Sequence, residues 1–199
     1  MADQLASPED LASAVNADVD TASATLAIEC ATAVVQAACG GRRIVRVVDD
    51  TEEVWGGTGQ VLRLKNWPIV SIGSVTYNGS ALTEGTASGT WRRAKYGIWR
   101  DCGWVEVCGE PLPTDVVYTH GYDPDGSDSD KQALQLGRGV SLGLAKGLFQ
   151  SPDGVVLREQ IDDYQVAYAE AEASLDMKPG VKALLRKQYG PKARMVGPA

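Results

Sequence analysis

His120 is the only histidine in the chain. It stands in Val117-Tyr118-Thr119-His120-Gly121-Tyr122, at the end of a predicted strand. As a general base it would need an orienting acid and a cleft for substrate. Asp115 is only a sequence neighbour, so a packed or capping histidine is expected. The cysteines are Cys30, Cys39, Cys102 and Cys108. None forms a C-x-x-C pair, and a zinc site would need further ligands. On one straight strand Cys102 and Cys108 would lie about 20 Å apart, too far for a disulfide. Free thiols are expected. Asp162-Asp163 could hold a cation as paired carboxylates, but such a pair is more simply a turn. Gly40-Gly41 and Gly56-Gly57-Thr58-Gly59 lack the lysine or the strand-turn-helix setting of a phosphate-binding loop. There is no G-x-S-x-G elbow, and one histidine cannot make an H-E-x-x-H helix. The sequence predicts no catalytic residue, no cofactor and no metal.

Charge separates along the chain. The net charge is -7. No basic residue precedes Arg42, whereas Asp3, Glu9, Asp10, Asp18, Asp20 and Glu29 are acidic. No acidic residue follows Asp176, whereas Lys178, Lys182, Arg186, Lys187, Lys192 and Arg194 are basic. Helix-dipole bias alone favours acids at helix starts and bases at helix ends. Contact between copies, an acidic patch on a basic one, would use the same separation. Nucleic-acid binding is not expected from an acidic chain without a basic, aromatic-studded patch. Trp91-Arg92-Arg93 and Trp99-Arg100 come closest, and read as tryptophans on one sheet face with arginines outside.

The elements that would position these residues follow from local signals. Ser7 caps, Pro8 suits a first helical turn and Asp10 completes a box, so a helix is predicted from Pro8 to about Val15. Thr21 to Ala38 is an alanine-rich helix with Leu26, Cys30, Ala33, Val34 and Ala37 on one apolar face, stopped by Gly40-Gly41. A compact antiparallel β unit is predicted from about 60 to 122. It contains Val61-Leu62-Arg63-Leu64, Ile69 to Tyr77, Val116 to Thr119 and further strands around Trp91, Trp99 and Trp104. Asn78-Gly79 predicts a tight hairpin turn. A helix is predicted from about Lys131 to Phe149. Its Gly139, Gly143 and Gly147 form a side-chain-free stripe, read as a site of close helix packing because each glycine costs about 1 kcal/mol. Lys131, Arg138 and Lys146 exclude that helix as a membrane span. Val155 to Tyr168 reads as a strand or extended arm. The last helix begins near Lys178-Pro179, with Val181, Leu184, Leu185 and Tyr189 on one face. Residues 191–199 form a basic, flexible tail. No window approaches the roughly 18 uninterrupted apolar residues of a membrane helix. Met1-Ala2-Asp3-Gln4 offers no secretory signal, so folding in a cytoplasm is expected.

These features give an α+β class: one domain over 1–199, with a helical core of about four helices (1–48 and 124–190), an inserted antiparallel β unit and an extended arm before the C-terminal helix.

Their order resembles the head-to-tail connector (adaptor) proteins of long-tailed, siphovirus-type bacteriophages. The matching stretches are Leu5-Ala6-Ser7-Pro8-Glu9-Asp10-Leu11, the alanine-rich helix ending at Cys39-Gly40, and Leu64-Lys65-Asn66-Trp67-Pro68-Ile69-Val70-Ser71-Ile72 running into Val75-Thr76-Tyr77-Asn78-Gly79. Val117 to Tyr122 ahead of a long helix follows, and Ile161-Asp162-Asp163-Tyr164-Gln165-Val166-Ala167-Tyr168 ahead of the terminal helix completes the set. The stretch from Trp91 to Gly109 departs from the pattern in its tryptophan and cysteine content. The resemblance implies a structural virion subunit of the neck, made in the bacterial host cytoplasm, without catalytic residues. It implies a homo-oligomeric, dodecameric ring between the capsid portal and the tail. Its partners would be the portal and a tail-side stopper or tail terminator, with genomic double-stranded DNA passing through the lumen unbound. Lys178, Lys182, Arg186, Lys187, Tyr189, Lys192 and Arg194 would then make portal or inter-subunit contacts. The alternatives are another neck component, such as a tail-completion or stopper protein, and, in a different class, a small enzyme uniting His120 with a carboxylate.

Overall fold

The computed structural model describes residues 4–56, 59–104, 112–150, 159–161, 164–166 and 177–190. In chain order the elements are helices α1 (Pro8–Val15) and α2 (Thr21–Ala38), then strands β1 (Val47–Trp55), β2 (Val61–Arg63), β3 (Ile69–Tyr77), β4 (Ser80–Leu82), β5 (Trp91–Ala94), β6 (Gly97–Arg100) and β7 (Pro113–His120). Helix α3 (Asp128–Gln150), strands β8 (Glu159–Ile161) and β9 (Tyr164–Val166), and helix α4 (Pro179–Tyr189) follow. The class is mixed α+β, with four helices and two small antiparallel sheets among the described residues, besides the short β8–β9 pair. The chain divides into two compact units: Met1–Arg42 with Gln132–Ala199, and Arg43–Lys131.

The helical unit is built from the predicted caps. Ser7 and Asp10 form the reciprocal capping box of α1, and Asp20 accepts from the Ser23 N–H at the start of α2. Gly40 and Gly41 take the positive φ that ends α2. Alanines at 24, 27 and 31 leave room for Leu11 and Ile28, both fully buried, and for Ala145 of α3. Polar ties fix the register of α3. Thr32 and Ser141 pair their hydroxyls at 3.3 Å, Arg138 meets Asp10 at 2.6 Å, and Lys146 donates to the Ala14 carbonyl at 3.0 Å. By length and composition α2 is apolar enough to cross a membrane, with 33 % of it buried. Small-residue core helices meet the same requirement.

The β unit starts at Arg43, earlier than the sequence suggests, because Val47–Trp55 is a strand. Its sheets have the orders β1-β7-β3-β4 and β2-β6-β5, all antiparallel. β1 is an edge strand carrying Asp49, Asp50, Glu52 and Glu53, with a register break at a positive-φ Asp49. That acid-rich, bulged pattern hides it from a search for alternating β-branched residues. The Asn78-Gly79 turn between β3 and β4 has positive φ at both residues, as predicted. The core unites Leu62, Leu64, Ile69, Val75, Trp91, Ile98, Trp104, Val116 and Tyr118.

Two expectations for the tryptophans need correction. Trp91 is buried, but Trp99 pairs across the strands with Arg92, whose guanidinium lies 4.1 Å over its ring, on the opposite face. Residue alternation along β5 and β6 forces that split. Trp104 lies beyond β6 and outside any strand, fully buried. Gly97 permits the closest approach in the unit: a Cβ there would stand 1.9 Å from the Leu62 carbonyl oxygen.

Candidate interaction surfaces

The predicted contact residues centre on α4, and its docking is set by a buried tyrosine. The Tyr189 hydroxyl donates to the Ala133 carbonyl and accepts from the Gly137 N–H at 3.1 Å. Those two backbone groups are the partners of one i→i−4 rung of α3, so the hydroxyl reaches into the ladder. Gly137 makes the room, since a Cβ there would meet Leu5 at 3.3 Å and the Tyr189 hydroxyl at 3.5 Å. Arg42, also buried, donates to the carbonyls of Tyr189 at 2.9 Å and Gly190 at 3.4 Å, placing a cation at the negative end of the helix. Arg186 Nε donates to the Ala38 carbonyl at 3.3 Å, and the Cys39 thiol faces the Leu185 carbonyl at 3.9 Å.

Tyr189 is therefore not a surface contact: only 3 % of it is exposed, and it positions α4 instead. Lys178, Lys182, Arg186 and Lys187 are exposed, with no acidic residue on α4. Lys192 and Arg194 lie outside the described residues. Leu184, expected on the buried face, is 55 % exposed. Only Leu185 and Tyr189 of α4 are buried, while Val181 is half-buried.

The apolar face expected on α2 also points outward. Leu26 is 62 % exposed, Cys30, Ala33 and Ala37 are exposed, and Val34 is half-buried. The buried face is a different one: Ala24, Ala27, Ile28, Ala31, Thr32, Val35 and Ala38. An alanine-rich helix is apolar on both sides, and the sequence pattern alone does not choose between them. Beside the open face lies an apolar groove of about 510 Å³, lined by Asp20, Ser23, Leu26, Ala27 and Cys30 of α2 and by Leu148 and Phe149 of α3. At its rim the Ser23 N–H and hydroxyl hold the Asp20 carboxyl below the usual carboxylate range.

The predicted glycine stripe is open. Gly139, Gly143 and Gly147 are exposed, and a Cβ at any of them would meet nothing within 4 Å. Nothing described in the chain packs closely on them, and the glycine that packing requires is Gly137. Sequence spacing gave no reason to separate it from the others. Part of the predicted arm is a short antiparallel pair, β8 with β9. Asp162, Asp163 and Tyr168 lie outside the described residues.

The thiols differ sharply. Cys30, Cys39 and Cys102 are free, with Cys30 and Cys102 exposed. Burial pushes the Cys39 thiol up to about 11, opposed by the charges of Arg42 and Arg186. Iodoacetamide at pH 8 is expected to alkylate Cys30 and Cys102 of the isolated chain and to spare Cys39 until denaturant is added. Peptide mass mapping reads this directly, and equal labelling of Cys39 in the native chain would contradict the docking of α4 on α2.

His120 has a carboxylate partner that the sequence did not indicate. Its Nε2 lies 2.9 Å from Asp50 Oδ2 on β1, and Asp50 also meets Arg43 at 3.2 Å. The imidazole is fully buried against the Tyr118 ring, and the Tyr118 hydroxyl donates to Glu52. Burial and that bond push the Tyr118 phenol well above its ordinary range. This arrangement joins β1 to β7 through buried polar side chains and presents no histidine surface to a substrate. Among the described residues no three His, Cys, Asp or Glu side chains gather as a metal site.

Neither a scan against protein-family models nor a search of curated proteins finds a match to this chain.

Proposed function

We propose that the chain is a structural subunit of a bacteriophage neck, one copy in a ring that joins the capsid portal to the tail and continues the DNA channel. In this reading a helical core, an inserted β unit and an arm before the last helix are the working parts, and the chain holds no reaction centre. The observation that carries it is α2. A helix with an apolar stripe on each of two sides calls for two partners, yet one side of this one is covered and the side with Leu26, Cys30, Ala33 and Ala37 is open, broken only by Glu29. A subunit that completes its core by assembling leaves that kind of surface. The charge separation supports the same reading, because a ring closes through two unlike surfaces that match. The resemblance in element order supplies the neck and a dodecameric copy number. A net charge of -7 suits a lumen through which a polyanion must slide without being held.

The test is assembly with a portal protein from the same genome. Native mass spectrometry and negative-stain microscopy are expected to find one closed ring of fixed copy number on the portal. Deleting the gene is expected to leave filled heads without tails. Complete infectious particles made without this product would overturn the proposal.

A further inference from the structure

We infer that the groove between α2 and the end of α3 receives α4 of a second copy of this chain, with Leu184 as the inserted side chain. The contact deepens the ring reading and rests on it. Three observations select the occupant.

The first is reach. The chain's own α4 is fastened at the far end of α2, where Arg186 bonds the Ala38 carbonyl and the Cys39 thiol meets the Leu185 carbonyl. The groove lies at the near end, around Leu26. From Leu26 to Ala38 the helix rises about 18 Å, so α4 of the same chain cannot fill it while docked.

The second is shape. Leu184 is an apolar side chain of α4 left 55 % exposed by its own unit. One turn before it stands Gly180, which has nothing within 4 Å of its Cβ position. A helix with a bare position beside its apolar knob can lie close over a groove floored by Ala27, Leu148 and Phe149.

The third is charge. Asp20 lines the groove and Glu29 stands on the same open stretch of α2. The nearest base on α3, Lys146, is turned to the Ala14 carbonyl. α4 carries Lys182, Arg186 and Lys187 and no acid, so the helix as a whole is basic. Of the other large apolar residues left exposed, Val48 and Trp55 lie on β1 beside Asp49, Asp50, Glu52 and Glu53, an acidic edge that would be repelled, and Val61 and Val70 stand singly on β2 and β3. Knob and groove are different surfaces, so each copy offers one to the next and accepts one from the last, which is the geometry of a ring.

Cys30 lines the groove and supplies the probe. Full-length chain carrying Cys102→Ser and Cys108→Ser is given Leu184→Cys, or Ala183→Cys as the control on the neighbouring exposed face. Both are oxidised with copper-phenanthroline, in solution and on the portal, after circular dichroism confirms the native fold. The expected result is a ladder of covalent oligomers from Leu184→Cys, at least tenfold stronger than from Ala183→Cys. Peptide mapping should trace it to Cys30 of one copy and position 184 of the next, and Cys30→Ala should abolish it. No Cys30 cross-link in either setting, or equal yields from both variants, overturns the contact. If rings still form on the portal in that case, the ring reading stands without this contact. A ladder from a chain that never closes into a ring keeps the contact and removes the ring.

Discussion

Tyr189→Ala is expected to release α4 from the helical unit and to lower its stability by about 3–5 kcal/mol, as truncating a buried aromatic does. The side chain is 3 % exposed, and it fills the space beside Leu5 that Gly137 leaves open. Removing it vacates that space, and the lost packing of the ring against α3 carries the cost. Tyr189→Phe should cost far less, about 0.5–1.5 kcal/mol. The phenyl ring keeps the packing, and the Gly137 N–H and Ala133 carbonyl can close their own helical rung. Denaturant melts of the two variants give the comparison. A phenylalanine variant as unstable as the alanine variant would show that the hydroxyl, not the ring, holds the helix. If α4 makes the proposed contact between copies, the alanine variant should also fail to assemble, while the phenylalanine variant assembles normally.

Trp104→Ala is expected to cost the β unit about 3–5 kcal/mol, or roughly 4–8 °C of melting temperature for each kcal/mol in a unit of this size. The indole is fully buried, and its N–H donates to the Gln60 carbonyl at 3.1 Å. Its ring meets Tyr77 edge-on at 5.8 Å. Gly56 lets the backbone come in beside it, where a Cβ would stand 3.1 Å from the tryptophan's own Cβ. Trp104→Phe retains much of the volume and should recover half or more of the loss. Near-ultraviolet circular dichroism during a thermal scan measures it, and a melt of Trp104→Ala within 2 °C of the parent would contradict this packing.

The elements that could be read from the sequence are those set by local chemistry. Ser7, Pro8 and Asp10 fix one helix start, Gly40-Gly41 one helix end, and Asn78-Gly79 one hairpin, because each acts on backbone groups within a few residues. What could not be read depends on distant partners. Nothing local says which side of α2 meets α1 and α3, since both sides are small and apolar. Leu184 and Leu185 look alike until the docking of α4 turns one inward. Gly137 matters because Tyr189, far along the chain, reaches it, whereas the more regular stripe of Gly139, Gly143 and Gly147 stays bare. His120 finds its acid on β1, a strand whose four carboxylates disguise it.

Those carboxylates bear on how copies of the chain can meet. Crowding many identical sheet edges around one axis invites them to zip together into fibrils rather than rings. A free edge bearing Asp49, Asp50, Glu52 and Glu53, bent by the irregularity at Asp49, repels its own image. In a ring of the kind proposed, the strand would steer self-recognition away from backbone pairing and leave it to the helices, where side chains decide the match.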